Sequence, residues 1–132
     1  MKIDHIGIAV ASIEEAASFY LRKMGLEVEH REDVPEQKVR VAFLRAGETS
    51  IELLEPIGPD GAIARFISKR GPGLHHLAFA VSDINGEMAE FSKKGAAPIE
   101  SEARPGSRGS RVCFVHPQKT GGVLIELVER GI

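Results

Sequence analysis

Apolar and polar residues alternate from Lys2 to Ala9 (KIDHIGIA), the two-residue period of a strand. Ile3, His5, Gly7 and Ala9 fall on one side, and Asp4, Ile6, Ile8 and Val10 on the other. His5 thus has small neighbours on its own face, with open space in front of it. Ser12 followed by Glu15 predicts a capped helix start, and Ala16, Phe19, Tyr20 and Lys23 keep helical spacing as far as Met24, where Gly25 supplies a stop. Leu26–Arg31 predicts a short strand, Glu32–Gln37 a loop around Pro35, and Val39–Arg45 a strand. A turn at Gly47–Glu48 then leads into a last strand, Thr49–Glu55. The order is β-α-β-β-β. Pro56–Gly61 is turn-rich, Ala62–Arg70 predicts a short helix, and Gly71-Pro72-Gly73 breaks it.

The same order then returns. Leu74–Val81 predicts a strand, Ser82 or Asp83 a cap, and a helix follows to Lys94–Gly95. Short strands are expected at Pro98–Glu102 and Arg111–His116, a loop at Pro117–Gly122 and a closing strand at Val123–Glu129. The sequences repeat as well. DHIGIAVASIEEAASFYLRKMG aligns with HHLAFAVSDINGEMAEFSKKG, which sets His5 on His76, Ile13 on Ile84 and Tyr20 on Phe91. VAFLR aligns with VCFVH. SIELLE aligns with LIELVE, which sets Glu52 on Glu126. The chain therefore reads as one α+β domain over 1–132. Module 1 covers about 1–58, a connecting helix about 59–73, and module 2 about 74–132. Each module alone is too small to bury its open sheet face. Together they are expected to form a curved mixed sheet around a metal-binding cleft.

Composition narrows the function by exclusion. A net charge of −2 without blocks of like charge gives no footprint for nucleic acid or a membrane surface. No apolar run approaches the ~20 residues of a membrane helix, and no signal peptide is recognisable, so a cytoplasmic location is expected. The single cysteine, Cys113, lies in the apolar run VCFV and reads as a buried, inert thiol.

The chemistry lies in the duplicated pair. IELL and IELV each set a glutamate among large aliphatic residues. A carboxylate buried there costs several kcal/mol unless paired or metal-bound. One such glutamate is explained by a half-exposed strand, and one histidine by a structural role. All four recurring at matched positions of a duplication instead points to a metal site of His5, Glu52, His76 and Glu126. Two nitrogens and two oxygens suit Co, Mn, Ni, Fe or Zn with two positions left open. A structural zinc site would more often be closed and cysteine-rich. His75 precedes a candidate ligand and faces the opposite way, His116 ends a strand before Pro117, and His30 reads as surface.

DHIGIAV, VPEQKVRVAFL, SIELLEPIGPDGAIARFISKRG, GLHHLAFAV and above all HPQKTGGVLIEL resemble the vicinal oxygen chelate superfamily over essentially the whole chain. Within it they are most similar to the methylmalonyl-CoA epimerase family. The resemblance implies a metal-dependent isomerase, Co being the first-choice ion, that moves the C2 proton of an acyl-CoA substrate. It also implies a homodimer, a common state among relatives. Glu126 is expected to serve one face of C2. Some family members carry a glutamate on the strand that here reads VRVAFL, at the position of Val41, so Glu52 is expected to serve the other face. Thr120-Gly121-Gly122 is expected to offer backbone N–H groups to a substrate carboxylate, with Lys119 adding charge. Lys69, Arg70, Arg104, Arg108, Arg111 and Lys119 are candidates for the CoA tail. A glyoxalase I (lactoylglutathione lyase) shares the ligand pattern and is the main rival. A non-catalytic small-molecule-binding protein of the same fold is the other, and the complete ligand set argues against it.

Overall fold

The computed structural model describes residues 1–131. The chain falls into two compact units, one of His5–His75 and one of Met1–Asp4 with the residues from His76 onward.

In the first unit, β2 (Glu27–Val34), β3 (Val39–Ala46), β4 (Thr49–Pro56) and β1 (Lys2–Ala9) lie side by side in that order. β2–β3 and β3–β4 are antiparallel and β4–β1 is parallel, which makes the sheet mixed. Strand alternation sorts its residues onto two faces. Val10, Ala42, Leu44 and Leu53 pack with α1 (Ile13–Ala17) on one face. Ala9, Val39, Val41, Phe43 and Leu54 pack on the other face with Ile63, Phe66 and Ile67 of α2 (Ala62–Arg70).

Two expectations change in this unit. Ser12 does cap α1, its Oγ accepting from the Glu15 N–H at 3.2 Å. The helix does not run on in one form, however: Ser18–Lys23 is a π-helical turn. The wider turn keeps Tyr20 and Leu21 against the apolar face while Phe19 projects outward. β2 also continues to Val34, through residues expected in a loop. Asp33 and Val34 find ladder partners in Arg40 and Val39, so only Pro35–Gln37 remain for the connection, as a 3-10 turn.

The second unit orders its strands β5 (Gly73–Ala80), β8 (Ile125–Glu129), β7 (Arg111–Val115) and β6 (Arg104–Pro105). β5–β8 is parallel, and β8–β7 and β7–β6 are antiparallel. α3 (Ile84–Lys93) is capped by Asp83. It covers Cys113 and Leu127 on one face, while Ala78, Val112, Val128 and Phe114 form the other. The strand expected at Pro98–Glu102 does not form. Ile99 donates its N–H to the Phe114 carbonyl at 2.7 Å, but the Phe114 N–H goes to the Glu100 side chain at 2.8 Å. A carboxylate takes the place of the next backbone carbonyl, and the edge strand shrinks to two residues.

Cys113 is fully buried, and burial pushes its thiol up to about 12, as expected of an inert core cysteine. Among the described residues, no helix is long and apolar enough to cross a membrane.

Candidate metal centre

His5 enters from β1 and Glu52 from the parallel neighbour β4, where Glu52 stands level with Gly7. A glycine there leaves no side chain between the two. His5 Nε2 lies 3.2 Å from Glu52 Oε1, and both side chains are more than nine-tenths buried. Phe43, level with Glu52 on β3, sets its ring edge-on to His5 at 5.4 Å between centroids.

The second unit builds the same arrangement from aligned residues. His76 Nε2 lies 2.9 Å from Glu126 Oε1, again both buried. Ala78, the counterpart of Gly7, stands level with Glu126. Phe114, the counterpart of Phe43, is level with Glu126 on β7 and meets His76 edge-on at 5.9 Å. Burying an imidazole and a carboxylate together is costly without further compensation. Two such pairs, each against an aromatic wall, are poor core packing and a good donor set. His5, Glu52, His76 and Glu126 form the group of described side chains able to hold a metal ion. Neutral imidazole nitrogens with carboxylate oxygens match a divalent ion of intermediate hardness.

Behind each phenylalanine stands another polar pair. His30, expected at the surface, is half-buried on β2, level with Phe43 and 6.3 Å from its ring, and its Nε2 lies 2.7 Å from Glu32 Oε1. Glu32 is level with Val41, so this edge strand carries a carboxylate one strand away from the position where β3 has valine. In the second unit the Arg104 guanidinium lies over Phe114 at 5.3 Å from the ring centroid, with its Nε 3.3 Å from Glu100 Oε2. The signal for His30 was present: alternation along EVEHREDV sets His30 and Glu32 on one side.

The residues expected to meet substrate lie in the turn after β7. Lys119 extends its Nζ to the Ala97 carbonyl at 3.2 Å. Gly121 and Gly122 both have positive φ, which suits glycine. The Gly122 N–H is used inside the turn, donating to the Pro117 carbonyl at 2.9 Å.

Three features had no prior reading. Glu55 accepts the Ile13 N–H at 2.8 Å, and its aligned counterpart Glu129 accepts the Ile84 N–H at 2.9 Å, so each strand that bears a glutamate of the candidate donor set also holds the start of a helix. The matched spacing of Glu52 to Glu55 and of Glu126 to Glu129 is the sequence signal. Ser110 is buried with no partner for its hydroxyl among the described residues. A serine in a glycine- and serine-rich turn gives little warning of that.

The chain matches known proteins over nearly its whole length. Residues 4–114 match the family model of the Glyoxalase/Bleomycin resistance protein/Dioxygenase superfamily. The mitochondrial methylmalonyl-CoA epimerase of Homo sapiens is 39% identical over 127 residues, 96% of this chain and 72% of that protein. The ethylmalonyl-CoA/methylmalonyl-CoA epimerase of Cereibacter sphaeroides is 37% identical over 96% of each chain. A Streptomyces coelicolor methylmalonyl-CoA epimerase variant, solved with 2-nitronate-propionyl-CoA, superimposes with a TM-score of 0.96 at 39% identity, covering 99% of this chain and 95% of that one. The chain belongs to the Glyoxalase/Bleomycin resistance protein/Dioxygenase superfamily and has its α+β vicinal oxygen chelate fold.

Proposed function

We propose that the protein is a methylmalonyl-CoA epimerase, interconverting the (R) and (S) forms by proton transfer at C2, and that His5, Glu52, His76 and Glu126 hold the divalent ion it needs. The observation that carries the reading is the duplicated buried histidine–glutamate pair, with imidazole and carboxylate 3.2 Å and 2.9 Å apart. Near-full-length relatives named for this reaction support it. A bound ion supplies Lewis acidity at the acyl oxygens, and Co is our first choice.

The C2 hydrogen is flanked by a thioester and a carboxylate, so its loss leaves an electron pair that spreads into the thioester carbonyl. Glu126 takes the proton on one face. Glu52, its counterpart by sequence, returns one on the other, which inverts the centre. Their low exposure keeps water from competing for the transfer. Val41 is embedded in an apolar cluster and offers no proton-transfer group, which supports Glu52 as the group at the second face. The Gly121 N–H and the Lys119 ammonium are assigned to the substrate carboxylate, with Gly122 shaping the turn. The protein is further proposed to act as a homodimer in the cytoplasm.

Deuterium exchange at C2 of methylmalonyl-CoA in D₂O tests the reading. Co-loaded protein should exchange and epimerise, and metal-stripped protein should do neither. No exchange by loaded protein would overturn the assignment and make the hemithioacetal of glutathione the next substrate to try.

A further inference from the structure

The acyl group's free carboxylate distinguishes this substrate from ordinary acyl-CoA molecules. In the turn assigned to it the Gly122 N–H and the Lys119 Nζ already bond to carbonyls, which leaves the Gly121 N–H as its main donor, too little for a full negative charge. Backbone register places a stronger candidate on the same sheet face. Phe114 is level with Glu126, and Arg104 is level with Val112, two residues before Phe114. Alternation therefore puts Arg104 on the face of β6 that corresponds to Phe114, Glu126 and His76. One aromatic ring separates the guanidinium from the His76 imidazole.

The guanidinium is also held in a defined pose. Its Cζ lies over the Phe114 ring, and Glu100 pairs with Nε. Glu100 is in turn fixed through its other oxygen to the Phe114 N–H. No described residue pairs with the two Nη groups, although the side chain is only half-exposed. A guanidinium placed over a ring, tethered at Nε and open at the Nη fork matches a carboxylate in bidentate geometry. A solvated surface arginine has no need of such a tether.

We propose that Arg104 is a specificity-determining residue that reads the free carboxylate of the acyl group through its two Nη groups, with Glu100 as its positioning residue. The proposal rests on the epimerase reading for the identity of the ligand. Arg104 selects dicarboxylic acyl groups over neutral ones and leaves proton transfer to the glutamates.

The test compares two ligands with identical CoA tails, methylmalonyl-CoA and propionyl-CoA, by calorimetry on Co-loaded protein. Arg104→Met keeps the stem that packs on Phe114 and should weaken methylmalonyl-CoA binding about 10- to 100-fold, the value of a charge-assisted fork. Propionyl-CoA binding should change less than about twofold, since it lacks the carboxylate. Arg104→Lys, which keeps charge without the fork, should fall between, with KM rising and kcat nearly unchanged. Equal losses for both ligands would assign Arg104 to a CoA phosphate, and no loss for either would make it a surface cation. Either result overturns the proposal. C2 exchange by wild-type protein is scored separately. Binding without exchange removes the reaction but leaves the selectivity result standing, and failure to bind either ligand removes both.

Discussion

The two modules place the same groups at the same positions and finish their edges differently. Each sets an imidazole against a phenylalanine and a buried glutamate, and each ties a helix start to a second glutamate three residues on. At the edge the likeness stops. β2 is a full strand of eight residues whose polar pair is His30 and Glu32, whereas β6 has two residues and its pair is Arg104 and Glu100. The inner parts of the two modules are thus equal arms, and their outer edges differ: an imidazole beside a carboxylate in one, a guanidinium beside a carboxylate in the other.

The sharpest test of the equal arms is metal removal. Chelation should reduce C2 exchange to the uncatalysed level, Co should restore it, and His5→Ala and His76→Ala should each lose metal to a similar degree, read by elemental analysis. Retention of metal by only one variant would break the equivalence. Next in size, Glu52→Gln and Glu126→Gln should each slow epimerisation about 10²- to 10⁴-fold. Starting from pure (R) or pure (S) substrate, the two variants should impair wash-in of deuterium from opposite epimers. Full activity and full metal content in Glu52→Gln would remove it as the second base.

Smaller effects probe the frame. Glu55→Ala and Glu129→Ala each strand a helix-start N–H and should cost about 1–3 kcal/mol in urea unfolding, by similar amounts. Smallest is a difference in the cores, where Cys113 in the second module aligns with Ala42 in the first. The folded thiol is held up to about 12, chiefly by burial, against ~8.5 in an unfolded chain. The folded state thus binds the proton more tightly. That contribution is complete below the unfolded value and is lost as pH rises towards about 12. Cys113→Ala should flatten the fall in melting temperature through that window, as measured by calorimetry.

Much of this was legible in the sequence because duplication works as a control. One histidine on a strand says little, while His5 and His76 at matched positions, with Glu52 and Glu126 following, identify a donor set. Strand alternation and glycine stops gave the element order. The reading failed where side chains replace backbone. Nothing local marks Glu100 as a stand-in for a ladder carbonyl, so Pro98–Glu102 passed for a strand. Asp33 and Val34 look like loop residues until Arg40 and Val39 are seen opposite them. The π-turn at Ser18–Lys23 depends on which of Phe19, Tyr20 and Leu21 the sheet can cover, which is a tertiary matter.

The strands bearing Glu52–Glu55 and Glu126–Glu129 also have a history to tell. In each, two carboxylates an odd number of residues apart face opposite sides of one strand, one towards the donor group and one towards a helix. A single inserted or deleted residue between them would turn one carboxylate to the wrong side whichever the other kept. Descent can therefore vary the residues along these strands but not their length. Insertions and deletions in related genes should accumulate in the turns around Gly47 and Gly121, and the four-residue count from one glutamate to the next should survive wherever both are present.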